Sequence, residues 1–155
     1  MYNYQWDCRV PLKRNSQLSK MPTDYIMRMI EEFFRGLRRV MSKRQEKNYD
    51  MAREGLDNLS RMITGLNVEQ IRAIGVENIM HFFNLSKPED IEKIFCTAKI
   101  LKEQALIEED EGNIEESKKS FGYSLDFFEL IKDKKSEDQQ EVLEEITQIN
   151  NKIRG

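Results

Sequence analysis

Between Asp24 and Met41 the apolar side chains recur every three or four residues, at Ile26, Met29, Ile30, Phe33, Leu37, Val40 and Met41. That spacing follows the 3.6-residue turn of an α-helix, so all of them share one face. Phe34 widens the stripe, while Arg28, Arg35, Arg38, Arg39 and Lys43 lie mostly outside it. The same period returns along the rest of the chain and nowhere yields to the strict alternation of a half-buried strand. An all-α fold is therefore expected, because amphipathic helices of this kind are held mainly by packing their stripes on one another.

Local start and stop signals divide the chain into five to six helices. Only 3 prolines and 7 glycines punctuate its 155 residues, which favours long uninterrupted segments. Thr23 or Asp24 is the expected cap of the first helix. A second helix is predicted from about Asn48, with Tyr49, Ala52, Leu56, Leu59 and Ile63 inward and Gly65 at its end. Asn67 and Gln70 have the spacing of a capping box for a short helix carrying Ile71 and Ile74, which Gly75 is expected to stop. Asn78 to Asn84 makes a further turn or two. Ser86 and Glu89 repeat the capping-box spacing, with Pro88 tolerated in the first turn. The helix behind them buries Ile91, Ile94, Phe95, Ala98, Leu101 and Ala105. Gly112-Asn113 forms a turn, and the next helix, from about Ile114 to Lys132, points Ser117, Phe121, Ser124, Leu125 and Phe128 inward. Ser136 and Gln139 are expected to cap a last helix with Val142, Ile146, Ile149 and Ile153.

This pattern implies one all-helical domain over residues 21–155, enough for a sizeable core. Residues 24–85 hold the N-terminal helices, and residues 86–155 a helical hairpin plus a final helix. Residues 1–20 form a basic lead with Tyr2, Tyr4 and Trp6 but no period, expected to be poorly ordered or loosely docked. Met21 directly precedes the first helical pattern, which makes it an alternative start of translation. The lead lacks the apolar stretch of a secretory signal, and no apolar run approaches the roughly 18 residues of a membrane span. Cytoplasmic residence is the expectation, and with it two free thiols, Cys96 being buried on its helix.

The segment Leu101 to Phe128 (LKEQALIEEDEGNIEESKKSFGYSLDFF) resembles a tetratricopeptide repeat. Ala105 stands at the small position of the first helix, Gly112 at the turn, and Ser117 and Ser124 at the two small positions flanking Phe121. Small side chains let two helix axes approach closely while Phe121 fills the groove between them. Glu108 stands where that family prefers an aromatic residue, and Glu129 where a proline usually closes the unit. The resemblance implies antiparallel helical hairpins stacked in a tetratricopeptide-repeat-like globule, although three units normally make a solenoid. The opening DYIMRMIEEFFRGLRRVM also resembles an uncharacterised bacterial family of helical proteins with a repeat-like C-terminal half, which implies no activity or site residue.

Signals for chemistry are sparse. His81 is the single histidine and has no cysteine or second histidine near it in sequence, so a transition-metal site lacks ligands. A nucleophilic arrangement would need Cys8, Cys96 or a serine brought to His81 by folding. Phosphate-cradling GxxxxGK[ST] and GxGxxG motifs are missing. The acidic run Glu108 to Glu111 fails as a calcium loop, because Ile107 stands first and Lys118 takes the place of the bidentate glutamate. The chain is accordingly expected to be non-enzymatic, with no catalytic residue, metal or cofactor.

Charge is distributed unevenly. Residues 1–47 hold 11 Lys/Arg against 5 Asp/Glu, and residues 101–147 hold 6 against 15. The two halves either meet each other or offer faces to outside partners. The leading expectation is an interaction module for an unidentified protein or peptide, or for a second copy in a homo-oligomer. Its alternative is an anionic-surface binder, for nucleic acid or membrane, working through the first helix. Phe33, Phe34, Arg35, Arg38, Arg39 and Met41 are the candidate interaction surface in both cases.

Overall fold

The computed structural model describes residues 21–135 and 138–155, which form six α-helices and one short 3-10 turn. They are α1 (Met21–Gln45), α2 (Tyr49–Thr64), α3 (Val68–Ile79), the 3-10 turn Met80–Phe82, α4 (Pro88–Asp110), α5 (Ile114–Ile131) and α6 (Gln139–Arg154). The described residues contain no strand. Residues 1–20, including Cys8, lie outside the described residues, as does Ser136.

Most helix ends follow the local chemistry. Asn48 caps α2 by accepting from the Met51 amide, and Gly65 closes it at φ +83°, where glycine avoids the Cβ clash. Asn67 and Gln70 form the expected capping box of α3. Gly112 turns the chain between α4 and α5 at φ +86°.

Gly75 breaks the helical conformation within α3 where expected, at φ +81° and ψ 164°, and a second helical segment follows to Ile79. Three expectations are corrected. Helix α1 already runs from Met21, so Asp24 lies inside its first turn, where a carboxylate complements the positive end of the helix dipole. Ser86 does not cap α4. Pro88 at the first helical position places the start one residue later, at Lys87, and the Ser86 hydroxyl donates instead to Asn84 Oδ1 at 2.6 Å. Gln139 is already the first residue of α6, and its amide nitrogen donates to the Lys132 carbonyl at 3.1 Å.

The core runs the length of the molecule. A line of rings joins α1 to α4 and α5: Phe33 to Phe34 at 4.9 Å, Phe34 to Phe95 at 6.4 Å, and Phe95 to Phe128 at 6.0 Å between centroids. Burying each such ring contributes about 1.5–3 kcal/mol. Helices α1 and α2 approach closely through two glycines. A Cβ on Gly36 would lie 2.6 Å from Leu59 Cδ2, and one on Gly55 would lie 2.9 Å from Val40 Cγ2. Helices α4 and α5 pack most extensively. Ser117 Oγ donates to the Ala105 carbonyl at 2.9 Å and Ser124 Oγ to the Ala98 carbonyl at 2.7 Å. A step forward on α5 thus matches an equal step back on α4, so the pair is antiparallel. Helix α4 also packs on α2 and α1, while α6 packs on α5.

Candidate functional site

The polar interior is a set of ion pairs that tie separate helices together. Arg44 of α1 reaches across to α4, donating to Glu103 and, at 3.3 Å, to Asp110. Burial pushes the Glu103 carboxyl up, and the Arg44 hydrogen bond offsets this only in part. Glu108, also buried, gathers three donors: Ser120 Oγ at 2.7 Å, Gln104 Nε2 at 2.9 Å and Arg72 Nη1 of α3 at 3.2 Å. Arg72 divides itself between Glu108 and Glu116, and its guanidinium lies 5.6 Å from the Tyr123 ring centre. Arg53 of α2 pairs with Glu111, and Lys152 of α6 donates to Glu109 at 2.9 Å. The acidic tip of the α4–α5 hairpin is thereby surrounded by cations from four other helices.

A second knot binds α6 to α4. Glu145 accepts from Lys99 and Lys102, and Lys99 also meets Glu141 at 2.8 Å. Lys135, only 4% exposed, donates to Glu92 and Asp138 at 2.7 Å each and lies 4.8 Å from the Phe95 ring centre. These contacts satisfy buried charges that would otherwise be costly. Cys96 is buried nearby on α4, and burial pushes its thiol well up.

The surface holds two features of note. On α1, Arg35, Arg38, Arg39 and Met41 are exposed, Met41 to 36%. Between α3 and α5 lies an open groove of about 480 Å³, lined by Val76, Glu77, Met80, Asp126, Glu129 and Leu130. Asp126 is pushed up by partial burial, then by the negative charges of Glu129 and Glu77.

No family model, curated protein or solved structure matches this chain.

The structure divides the predicted surface. Phe33 and Phe34 are 0% and 4% exposed, part of the core, because the inner face of α1 packs on α2 and α4. As members of an interaction surface they are corrected; Arg35, Arg38, Arg39 and Met41 remain outside. Ala105, Ser117, Phe121 and Ser124 meet in the α4–α5 interface, all nearly or fully buried, with Gly112 at the turn. His81 is exposed on the 3-10 turn, and among the described residues no group of His, Cys, Asp or Glu is placed to hold a metal ion. No described helix is long and apolar enough to cross a membrane.

Sequence reasoning missed the α3–α5 groove and the Glu108 and Glu145 hubs. A carboxylate in an otherwise apolar register was the available signal: Glu108 stands three residues beyond Ala105, on the buried side of α4.

Proposed function

We propose that the chain is a cytoplasmic, non-enzymatic interaction module: a stack of helical hairpins, similar to tetratricopeptide repeats, that holds a partner protein or peptide. The order of packing carries the reading. Helices α1 and α2 form one hairpin, α4 packs on both of them and pairs with α5, and α6 continues the stack on α5. In helical-repeat proteins each unit contacts its neighbours in this sequential way and presents the outer faces to partners. The small side chains at Ala105, Ser117 and Ser124, with Phe121 between, support the same reading, as does the left-handed Gly112. Helix α3 and the 3-10 turn intervene between the hairpins, so the units are separated rather than directly consecutive. The buried carboxylates Glu103, Glu108 and Glu145 are engaged with cations from other helices, a structural use of ionisable groups. Cross-linking of natively expressed protein, followed by mass spectrometry, tests the module. A partner or second copy recovered at fixed stoichiometry is expected. A strictly monomeric protein that captures no more than an unrelated helical control of equal charge refutes it.

A second reading rests on the exposed Arg35, Arg38 and Arg39 of α1. With Phe33 and Phe34 turned inward, this face offers charge without a broad apolar wedge, which favours phosphate contact over membrane insertion. Titration with duplex, single strand and anionic vesicles across a salt series tests it, since phosphate affinity falls steeply with salt. No binding at low salt eliminates it.

A further inference from the structure

We propose that the groove between α3 and α5 receives a cationic amphipathic helix of a partner protein. The inference rests on the interaction-module reading and assigns it a surface. The kink at Gly75 sets the last turn of α3 at its own angle, leaving Val76 and Met80 half-buried beside Leu130 of α5. Val76 lies in the last turn of α3 and Met80 opens the 3-10 turn that follows it, while Asp126 and Leu130 are one turn apart on α5. The shallow apolar strip between the two helical ridges is the kind of surface on which a third helix packs.

Charge selects the chemistry of the occupant. Every ionisable side chain lining the groove is a carboxylate: Glu77, Asp126 and Glu129. Partial burial first, then the like charges of Glu129 and Glu77, raise the Asp126 pKa, and an incoming ammonium or guanidinium would relieve the repulsive part. Among the described residues Glu129 pairs with Lys132 of its own helix, at 2.9 Å with both side chains 42% exposed, a surface pair that a partner's cation can replace at little cost. Apolar residues along one stripe of the partner would cover Val76, Met80 and Leu130, with Lys or Arg flanking them.

The test uses the full chain and two labelled 18-residue helical peptides, one of leucine and lysine, the other of leucine and glutamate. Fluorescence anisotropy measures affinity, and methyl NMR shifts at Val76, Met80 and Leu130 locate the site. The expected result is binding of the lysine peptide only, with those methyls shifted. In Glu77→Lys/Asp126→Lys the affinity falls at least about tenfold, whereas Glu54→Lys/Glu144→Lys, of equal net charge, changes it less than about twofold. Both variants alter exposed side chains, and circular dichroism confirms that they remain folded. Equal loss in the two variants, or methyl shifts elsewhere, overturns the proposal. So does concentration-dependent self-association that the groove variant abolishes, which would give the groove to a second copy. Failure of the lysine peptide while native cross-linking still captures a partner removes the groove and leaves the module intact.

Discussion

Replacing Glu145 with glutamine should loosen the attachment of α6 with little change in side-chain shape. Burial on its own would push this carboxyl up, but Lys99 and Lys102 together overcome that and hold it below the usual carboxylate range. Removing one partner of a buried pair costs about 3–5 kcal/mol when the remaining charge is left alone. Here Lys99 keeps Glu141 at 2.8 Å, and the 22% exposed side chain of Lys102 can turn to water. The expected cost is therefore lower, about 2–3 kcal/mol, which lowers Tm by roughly 5–10 °C in a chain of this size. Because the folded pKa lies below the unfolded one, the stabilisation is fully present above the unfolded value and is lost as pH falls through the folded value. The gap between wild type and Glu145→Gln should accordingly be widest near neutrality and close in acid, below about pH 4. Lys99 contributes with the opposite sign: its raised pKa keeps it charged through neutral and mildly alkaline pH, so its share is present below about pH 10.5 and lost only above that. Thermal melts followed by circular dichroism from pH 7 to pH 3 measure the gap. A gap under about 1 °C at pH 7, or one that stays constant into acid, would falsify the reasoning.

Three further outcomes follow from the packing. Gly36→Ala should destabilise by at most about 1–2 kcal/mol in urea melts, because its Cβ would meet Leu59 Cδ2 at 2.6 Å while alanine adds about 1 kcal/mol of helix propensity, and in a Leu59→Ala background the substitution should turn neutral or stabilising. Equal losses in the two backgrounds would rule out the clash. Ser124→Ala should cost about 1 kcal/mol, the hydrogen bond to Ala98, while Ser124→Leu should cost several-fold more by forcing α4 and α5 apart; a leucine tolerated as well as alanine would mean the helices are not closely apposed there. Cys96 should resist thiol reagents in the folded protein and label only on denaturation, measured in a Cys8→Ser background, since it is fully buried and its thiol is pushed up; rapid labelling at pH 8 without denaturant contradicts its burial.

What could be read from the sequence was whatever a few neighbouring residues decide. The Asn67–Gln70 box, the helix end at Gly65 and the turn at Gly112 need only three to five residues of context, and each stands where its spacing placed it. The 3.6-residue period likewise placed Phe33 on an inward face, but it left open whether that face met the protein or a partner. The α2 and α4 helices decide it by covering Phe33 and Phe34. At Ser86 two local signals competed, and the fixed backbone of Pro88 prevailed over the capping-box spacing. Partners distant in the chain were beyond such reasoning. Arg44 and Glu103 are 59 positions apart, Arg72 and Glu108 36, and Lys99 and Glu145 46, so nothing local marks these charges as buried. The α3–α5 groove is invisible for the same reason, as it exists only where two segments some fifty residues apart lie side by side.

The charge asymmetry of the chain gains a physical meaning from where each charge ends. Part of it closes internally: Arg44 of the basic stretch, with Arg53 and Arg72 beyond it, bonds to Glu103, Glu108, Asp110, Glu111 and Glu116 of the acidic stretch. Those bonds fasten the first hairpin and α3 to the α4–α5 hairpin, and because they are partly desolvated they should survive salt better than exposed pairs do. The remaining charge is segregated. Arg35 and Arg39 face solvent on α1, whereas Glu77, Asp126 and Glu129 crowd the groove on α3 and α5. Glu129 is paired with Lys132 of its own helix at 2.9 Å, an exposed pair that leaves Asp126 still raised by burial and by its acidic neighbours. Under the proposal above, a cationic helix seated over Val76, Met80 and Leu130 would relieve that crowding.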